Sequence, residues 1–292
     1  MTWFVYALAT AVFVSLQDAL NKRFFGHTRP MEMFSFLLLY SLPGCLLGLF
    51  LTPVPELDST FWWAFVLGIP VNGLGMVLYM QAIKQSPLSL TMPLLAFSPA
   101  FLILVGWVLL GESLSLFGIL GILVIVSGSY LLHFRPQQKG GASIFAAPFA
   151  ALMADPGSRA MLWAALVFAV GAALGKMAIG HSNALFFAFS FFSAHNLSIL
   201  LFFSLTKQIQ FRFLLSQWRL GLVVGNLYFL HITFHNLAVA LTKTAYMISV
   251  KRLNLVFSVF LGRWVLGEQD TGQRALAAMA MLAGVVILYL LG

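Results

Sequence analysis

Charged residues are scarce in this sequence: only 8% of its 292 residues are Asp, Glu, Lys or Arg, whereas 61% are hydrophobic. A soluble domain averages about 25% charged residues, and one of this size still leaves a large part of its surface in water. The composition therefore excludes an ordinary soluble globule. A bilayer removes the difficulty, because each helical span needs roughly 20 apolar residues.

Cysteine and acidic residues are also few, and their scarcity excludes several function classes. Cys45 is the single cysteine, so no disulfide framework or cysteine-based metal site can form. Eight acidic residues are too few for the metal-binding clusters of a polytopic transferase. No GxxxxGK[ST] sequence occurs, which excludes ATP-driven transport by this chain, and no repeated channel filter is present. We expect no enzyme activity, no cofactor and no metal.

What the chain does have is a series of long apolar runs. Alternating ten-residue segments typical of a membrane β-barrel are absent, so the runs predict an all-α membrane protein with ten transmembrane helices. The N-terminus lacks a basic region and a small-residue cleavage site, which favours a retained first span over a signal peptide. The runs cover residues 3–22, 31–51, 61–83, 88–110, 116–134, 160–180, 184–206, 219–240, 244–266 and 273–291.

The longest connection, residues 135–159, divides the chain into a first half (1–134) and a second half (160–292). It contains a short apolar piece, 144–152, which is too short to span and is expected to lie at the membrane interface. We predict that each half forms a five-helix repeat, joined by this loop.

The two halves resemble each other in sequence. A shift of 154 residues places ALNKRFFGH (19–27) on ALGKMAIGH (173–181), and a shift of 156 places GWVLLGE (106–112) on GRWVLGE (262–268). Apolar composition alone would not produce two Lys…Gly-His matches and two Gly-Glu matches at nearly the same offset. Because five spans is an odd number, the halves must cross the membrane in opposite directions, and such inverted repeats are common in transporters.

The scattered basic residues bear on orientation and partners. Although the net charge is +8, the basic residues stand singly between apolar runs, which favours loops at an anionic leaflet over nucleic-acid binding. The loops after spans 1, 3, 5, 7 and 9 hold most of them, while the opposite side holds only Lys243. The positive-inside rule then places the odd loops in the cytoplasm and both termini outside.

Three features of the chain stand out: its tandem halves, its Gly-Glu pairs at 111–112 and 267–268, and the stretch AYMISVKRLNLVFSVFLGRWVLGE (245–268). In these features the chain resembles the EamA-like ten-helix members of the drug/metabolite transporter superfamily. The resemblance extends over essentially the whole chain. It implies secondary transport of small organic solutes such as amino acids, sugars, phosphorylated metabolites or drugs. It also implies cytoplasmic termini, in conflict with the charge count.

Ionisable residues inside a span are costly and therefore mark candidate sites. Lys251 and Arg252, near the middle of span 9, are the least expected, since Leu95 and Ala96 stand at the equivalent repeat positions. They suit a carboxylate or phosphate, although a structural ion pair or snorkelling would also explain them. Asp18 is either a proton-coupling site or the partner of a cation. The other candidates for lining a substrate cavity are Asn72, Tyr79, Ser98, Lys176, His195, His231 and His235.

Each of these candidates has a structural alternative. His231 and His235 have zinc-ligand spacing, but no HExxH pattern accompanies them, so polar lining of a wet cavity is the preferred interpretation. Lys176 would also fit at the interface, and His195 would fit a hydrogen bond between helices. Ser98 precedes Pro99, where a local break would free backbone carbonyl groups.

These observations predict a multi-pass carrier of the cell inner (plasma) membrane that works by alternating access. Cations outnumber acids among the interior candidates, so we expect a substrate with a carboxylate or phosphate, an amino acid first, moved by export. The expected partners are this small molecule, the lipid bilayer and a coupling ion such as the proton, in a monomer or homodimer. The alternatives are a multidrug or quaternary-amine efflux carrier, a flippase for a lipid-linked substrate and, least favoured, a polytopic membrane enzyme.

Overall fold

The computed structural model describes residues 1–86, 91, 94–133, 155–258, 261 and 272–292. This part of the chain is helical and contains no strand. The apolar piece 144–152 and the second Gly-Glu pair, 267–268, lie outside the described residues. The helices are α1 (Thr2–Phe25), α2 (Pro30–Leu51), α3 (Ser59–Gln85), α4 (Ser98–Leu110), α5 (Leu116–His133), α6 (Pro156–Gly180), α7 (Ala184–Leu205), α8 (Phe211–Ser216), α9 (Trp218–Leu241), α10 (Thr244–Lys251) and α11 (Gly272–Leu291).

Six of these helices are long and apolar enough to cross a membrane: α1, α2, α3, α6, α7 and α9. Three shorter apolar helical segments, Ser98–Leu110, Leu116–Leu131 and Leu276–Leu291, lie within the predicted spans 4, 5 and 10. The predicted membrane-embedded, multi-pass, all-helical architecture is confirmed. The count of ten spans and their inverted arrangement stay predictions, because span 9 is described only in part.

The described chain separates into two compact units, and each unit draws on both halves of the sequence. The first comprises Met1–Ile69, Gly175–Lys243 and Val250–Asp270, and the second comprises Pro70–Leu174, Thr244–Ser249 and Thr271–Gly292. The units are thus packing units, distinct from the sequence repeats 1–134 and 160–292.

Aromatic side chains form the core of the first unit, where α1, α2, α7 and α9 pack together. Phe25 of α1 stacks on Phe36 of α2 with ring centroids 3.7 Å apart, and Tyr40 donates a hydrogen bond to the Leu214 carbonyl at 2.8 Å. Cys45 is completely buried in this core. At Gly225 of α9 a Cβ would overlap Tyr40, so the absence of a side chain lets α2 approach α9 closely.

Glycines also set the distance between α5 and α11 in the second unit. A Cβ on Gly284 would lie 2.8 Å from the Gly121 carbonyl oxygen, and a Cβ on Gly128 would lie 3.0 Å from the Ala277 carbonyl oxygen. Position 121 pairs with 284 and position 128 with 277, so the two helices run antiparallel. Small residues of this kind allow close backbone contact between membrane helices, where no hydrophobic force drives association.

Two helical segments are interrupted by the same local geometry. Ahead of α4 the chain turns at Ala96 and Phe97, and the Phe97 N–H donates to the Leu94 carbonyl at 3.1 Å. This break agrees with the one predicted at Ser98-Pro99. After α10 the chain turns at Arg252 and Leu253 before helix resumes at 254–258.

The second break was not predicted, yet its hydrogen bonds repeat those of the first. The Leu253 N–H donates to the Val250 carbonyl at 3.0 Å, as Phe97 does to Leu94. The Phe257 N–H then donates to the Leu253 carbonyl at 3.0 Å, as Phe101 does to Phe97, also at 3.0 Å. Every residue of the second set stands 156 positions after its counterpart in the first, which is the offset of the sequence repeat.

Acidic residues fix the starts of two helices. Asp155 accepts the Ser158 N–H at 2.6 Å and the Ser86 hydroxyl at 2.6 Å, so α6 begins at Pro156 rather than at the predicted residue 160. Asp58 accepts the Phe61 N–H at 2.9 Å at the start of α3 and contacts His181 Nδ1 at 2.6 Å. The hydrogen bond from Phe61, followed by the contact with His181, lowers the pKa of Asp58 below its usual value.

Candidate functional site

The candidate site in the first unit is built around one face of α9. Tyr228, His231 and His235 follow one another at helical spacing and therefore share this face. Their rings form a column, with centroids 5.6 Å apart between Tyr228 and His231 and 6.0 Å apart between His231 and His235. Tyr228 is buried, while both histidines are partly exposed. The face predicted from the i, i+4 spacing of the histidines is therefore polar and accessible.

The neighbouring helix α1 supplies an amide and a carboxylate. Gln17 is buried, lies 3.3 Å through its Oε1 from His231 Nδ1, and donates from Nε2 to Asp18 Oδ1 at 3.1 Å. Asp18 itself is exposed. A carboxylate within a span is costly and faces protein or a water-filled cavity, where it can bind a cationic group or a proton.

The cations come from the segment around the second helix break. Lys251 is the last residue of α10, and Arg252 lies in the turn that follows. Lys251 interacts electrostatically with Asp18, with both α9 histidines and with Arg252. Both cations are partly exposed.

Together these groups offer charges of both signs and neutral hydrogen-bonding partners. Asp18 supplies the negative charge, Lys251 and Arg252 the positive charge, and Gln17 and the two imidazoles additional polar atoms. Such a set can hold a small polar solute carrying opposite charges by complementary ionic and hydrogen-bonding contacts. Among the described residues, no group of three or more His, Cys, Asp or Glu side chains is arranged to hold a metal ion.

Lys176 contacts a helix terminus in the same unit. Its Nζ donates to the Val239, Ala240 and Thr242 carbonyls at 2.6, 3.2 and 3.1 Å. These carbonyls belong to the C-terminal end of α9, where a cation is favoured by the helix dipole. We therefore assign Lys176 to the α9 terminus and leave it out of the proposed substrate site.

His195 of α7 lies within the helix packing of the first unit, where Phe192 contacts both His195 and Tyr228. It is buried, stacks on Phe191 with centroids 5.8 Å apart, and approaches Asn196 at 3.4 Å. Asn196 in turn donates to the Ser41 hydroxyl of α2 at 3.1 Å. The hydrogen bond between helices is thus made by Asn196, and His195 contacts Asn196 within α7.

The remaining candidates, Asn72, Tyr79 and Ser98, lie in the second unit. A Cβ added to Gly171 of α6 would lie only 2.9 Å from the Asn72 side-chain atoms. The Asn72 side chain therefore packs between α3 and α6. Tyr79 packs against the cluster that contains Met161 and Ala164, and Ser98 is buried at the start of α4.

Sequence reasoning missed Gln17. It directly precedes Asp18 in an apolar span, and that polar pair was the available signal. Which face of α1 meets α9 depends on helix packing, which the sequence pattern does not give. The Gly-Glu pair at 111–112 was recognised as a motif, but its contacts were not predicted.

Comparison with known proteins bears on the class of this molecule. Residues 1–134 match the model of the EamA-like transporter family. The match confirms the resemblance to the drug/metabolite transporter superfamily and, with the apolar helices, supports an EamA-like membrane protein of the transporter type. A transporter family implies a protein without catalytic turnover.

Structural similarity extends over the whole molecule. A solved structure described as "Crystal structure of protein" aligns with a TM-score of 0.72 and 16% sequence identity, covering 99% of this chain and 96% of the other. At this identity the alignment shows a shared fold. No curated protein matches the chain in a sequence search.

Proposed function

We propose that the molecule is a ten-helix carrier made of two inverted five-helix repeats, residues 1–134 and 160–292, joined by the connection 135–159. The glycine contacts between α5 and α11 support this arrangement. Adding 156 to Gly128 gives Gly284, and subtracting 156 from Ala277 gives Gly121. The contact of 128 with 277 thus maps onto the contact of 284 with 121, as a two-fold relation between the repeats requires.

We propose that this carrier moves a small organic solute by alternating access in the cell inner membrane, and that the groups on α1, α9 and α10 bind the solute. The observation that carries the proposal is the electrostatic grouping of Asp18 and Lys251 with the two α9 histidines, partly exposed and away from the helix termini of α1 and α9. Charged groups inside a span are costly, and those that are present commonly mark a substrate or ion pathway.

The chemistry of the site favours an amino acid among carboxylate- and phosphate-bearing solutes. Lys251 and Arg252 suit the carboxylate, while Asp18 suits the α-ammonium group. A cation and an anion held within electrostatic range complement a zwitterion better than either does alone. We propose export as the direction and the proton as the coupling ion, with Asp18 and the histidines as the groups able to exchange it.

Thermal-shift screening of the purified protein tests this proposal. The panel contains L-amino acids, organic acids without an amino group, phosphorylated sugars and quaternary amines. We expect the amino acids to raise the melting temperature most, because only they engage both charges. Uptake into right-side-out and inside-out vesicles then gives the direction, with and without a proton gradient.

An efflux carrier for quaternary amines is the second candidate, and the exposed carboxylate of Asp18 favours it. A lipophilic cation would bind Asp18 and displace Lys251 from it. If quaternary amines alone stabilise the protein, the efflux proposal replaces the amino-acid proposal. If none of the panel stabilises the protein and a lipid-linked sugar tested separately does, a flippase replaces both proposals.

A further inference from the structure

The amide of Gln17 connects the carboxylate of α1 to the histidine column of α9. Gln17 is only 5% exposed, and a buried amide needs partners for both its oxygen and its nitrogen. Its Nε2 donates to Asp18 Oδ1 at 3.1 Å, and its Oε1 lies 3.3 Å from His231 Nδ1. All three residues belong to the first compact unit, in which α1 packs against α9. Both ends of the buried amide are therefore satisfied within one unit.

The carboxylate decides which way round this amide lies. An ionised carboxylate only accepts hydrogen bonds, so the amide nitrogen of Gln17 faces Asp18 and the amide oxygen faces His231. An amide oxygen also only accepts, so Nδ1 of His231 carries a proton and donates it. In a neutral imidazole one ring nitrogen donates and the other accepts. The neutral form of His231 is therefore the Nδ1–H tautomer, with an acceptor at its Nε2.

Neighbouring rings hold the imidazole of His231 in this orientation. It meets Tyr228 and His235 edge to face, with interplanar angles of 74° and 84°. One turn earlier on α1, Phe13 stacks on Phe234 of α9 with ring centroids 5.5 Å apart, and this stack helps to fix how the two helices meet. Turning the imidazole over would place a ring carbon in front of the amide oxygen and lose the hydrogen bond.

The Nε2 atom of His231 is left as an acceptor inside a span. Among the residues that the structure describes, none hydrogen-bonds to it, and the His231 side chain is partly exposed. Hydrogen bonds in a chain polarise one another, so the negative charge of Asp18, acting through the amide, strengthens this acceptor. An ammonium group that has N–H bonds donates to such an atom, whereas a quaternary ammonium group has none to donate.

From this geometry we infer that Gln17 is a positioning residue that fixes the tautomer of His231, so that His231 Nε2 accepts an N–H from the ammonium group of the solute. The inference rests on the proposed function, in which groups on α1 and α9 bind an amino acid. It adds a selection to that function, since a primary ammonium group can donate to Nε2 and a quaternary one cannot. Gln17 itself acts only through His231.

The tautomer of His231 can be measured without any substrate. In the full-length protein labelled at histidine, ¹⁵N NMR at a pH where the imidazoles are neutral distinguishes a ring nitrogen that carries a proton from one that does not. The variant His231→Gln identifies the signals of this residue. We expect a protonated Nδ1 and an unprotonated Nε2 in wild type. A wild-type His231 with its proton on Nε2 would overturn the inference.

Removing the amide should release the tautomer. In Gln17→Leu no acceptor holds the proton on Nδ1, and we expect the Nε2–H form of His231 to become populated. If Gln17→Leu keeps the wild-type tautomer, Gln17 does not fix it.

The matched control is Asn21→Leu. Asn21 lies one turn after Gln17 on α1, is also a buried amide, and donates to the Met33 carbonyl of α2 at 3.2 Å. The variant thus removes an amide hydrogen bond to α2 and leaves the one to α9 in place. It should keep the wild-type tautomer of His231. A change as large as that in Gln17→Leu would mean that disturbing α1 anywhere releases the tautomer, and would contradict a specific role for Gln17.

Binding of L-alanine and of its N-trimethyl derivative provides the second readout. Both carry a carboxylate and a positive charge, but only L-alanine has N–H bonds on its ammonium group. We expect wild type to prefer L-alanine, and Gln17→Leu to reduce this preference by about tenfold, as for the loss of a hydrogen bond to a charged group. Asn21→Leu should keep the preference.

The two readouts separate the inference from the function on which it rests. An unchanged preference for L-alanine in Gln17→Leu would contradict the acceptor role of His231. If wild type binds neither compound, the amino-acid proposal fails, and the NMR measurement alone decides whether Gln17 fixes the tautomer of His231.

Discussion

The two helix breaks share a backbone but differ in side chains. Ala96 and Phe97 form the first turn and Arg252 and Leu253 the second, with equivalent hydrogen bonds at an offset of 156 residues. Pro99 follows the first break, whereas Leu255 stands at the equivalent position after the second. An interruption of this geometry therefore does not require a proline at this position. The difference that remains is charge, because apolar Leu95 and Ala96 correspond to Lys251 and Arg252.

The comparison teaches that the helix breaks and glycine contacts are shared between the halves, while the cationic pair Lys251 and Arg252 belongs to the second half alone. Glycine contacts and helix breaks occur twice. A cationic pair next to a break occurs only in the second half. If substrate binding depends on the cationic pair, removing its charge should weaken binding and leave the helix break in place. Substitutions at the shared glycine contacts should instead lower stability, whichever half they are made in.

The largest effect is expected from making the second break as uncharged as the first. Lys251→Gln removes the positive charge that interacts with Asp18 and leaves this carboxylate without its cation. We expect the dissociation constant for an amino-acid substrate to rise by about a hundredfold or more, because the carboxylate of the bound substrate loses its charged partner. Isothermal titration or thermal-shift titration measures it.

Lys207→Gln is the matched control for this change, because Lys207 is exposed and lies between α7 and α8. It should leave binding unchanged. Unchanged affinity in both Lys251→Gln and Arg252→Gln would make the cationic pair a structural feature and remove the functional content of the asymmetry.

The next effect concerns the shared glycine contacts. Gly284→Ala would bring a Cβ within 2.8 Å of the Gly121 carbonyl oxygen, and Gly128→Ala would bring one within 2.9 Å of the Met281 backbone nitrogen. Because backbone atoms cannot easily move away, we expect each to cost about 1–3 kcal/mol of stability. Similar losses of melting temperature in detergent would agree with equivalent roles, and a loss in one variant alone would break the equivalence.

A smaller and selective effect is expected at Asp18. Asp18→Asn removes the proposed ammonium partner, so L-alanine should bind about fivefold more weakly, a modest loss because the carboxylate is exposed. L-Lactate has the carboxylate without the ammonium, and its binding should not weaken, since Lys251 no longer has a competing carboxylate. Equal weakening of both ligands would contradict a zwitterion site.

The smallest effect is expected from replacing Pro99, which follows the first break, by leucine. The variant Pro99→Leu gives the first break the residue that stands at the equivalent position, Leu255, after the second. We expect the break to persist and stability to fall by about 0.4–1 kcal/mol, mainly through the greater freedom of the unfolded chain. Hydrogen exchange over 94–101 checks the break, and a continuous protected helix through 96–97 would show that Pro99 is required after all.

Much of this architecture could be predicted from the sequence, because long apolar runs have few alternatives in a bilayer. The shared face of His231 and His235 followed from their spacing, and the break before Pro99 followed from proline chemistry. The break at Arg252 had no local signal, because Leu255 stands where Pro99 stands in the first half and keeps an N–H, which donates to the Arg252 carbonyl at 3.0 Å. Only the repeat alignment pointed to it.

Contacts between distant segments were the part that sequence reasoning did not supply. Lys176 could be placed near the end of a span, but its three carbonyl partners come from α9, some 63 to 66 residues further along the chain. Gln17 was not selected because a single amide in an apolar span becomes informative only when its neighbour, His231, is known. Such pairings depend on helix rotation and depth, which apolar patterning leaves open.

The complete burial of Cys45 in the aromatic core has a practical consequence for spectroscopy. Maleimide and methanethiosulfonate reagents need an accessible thiol, and the single native one is enclosed by α2 and its neighbours. A cysteine introduced at an exposed position such as Lys207 would then carry the label alone. Fluorescence or electron-spin distances could therefore be recorded in the otherwise native sequence, with no need to remove Cys45 first.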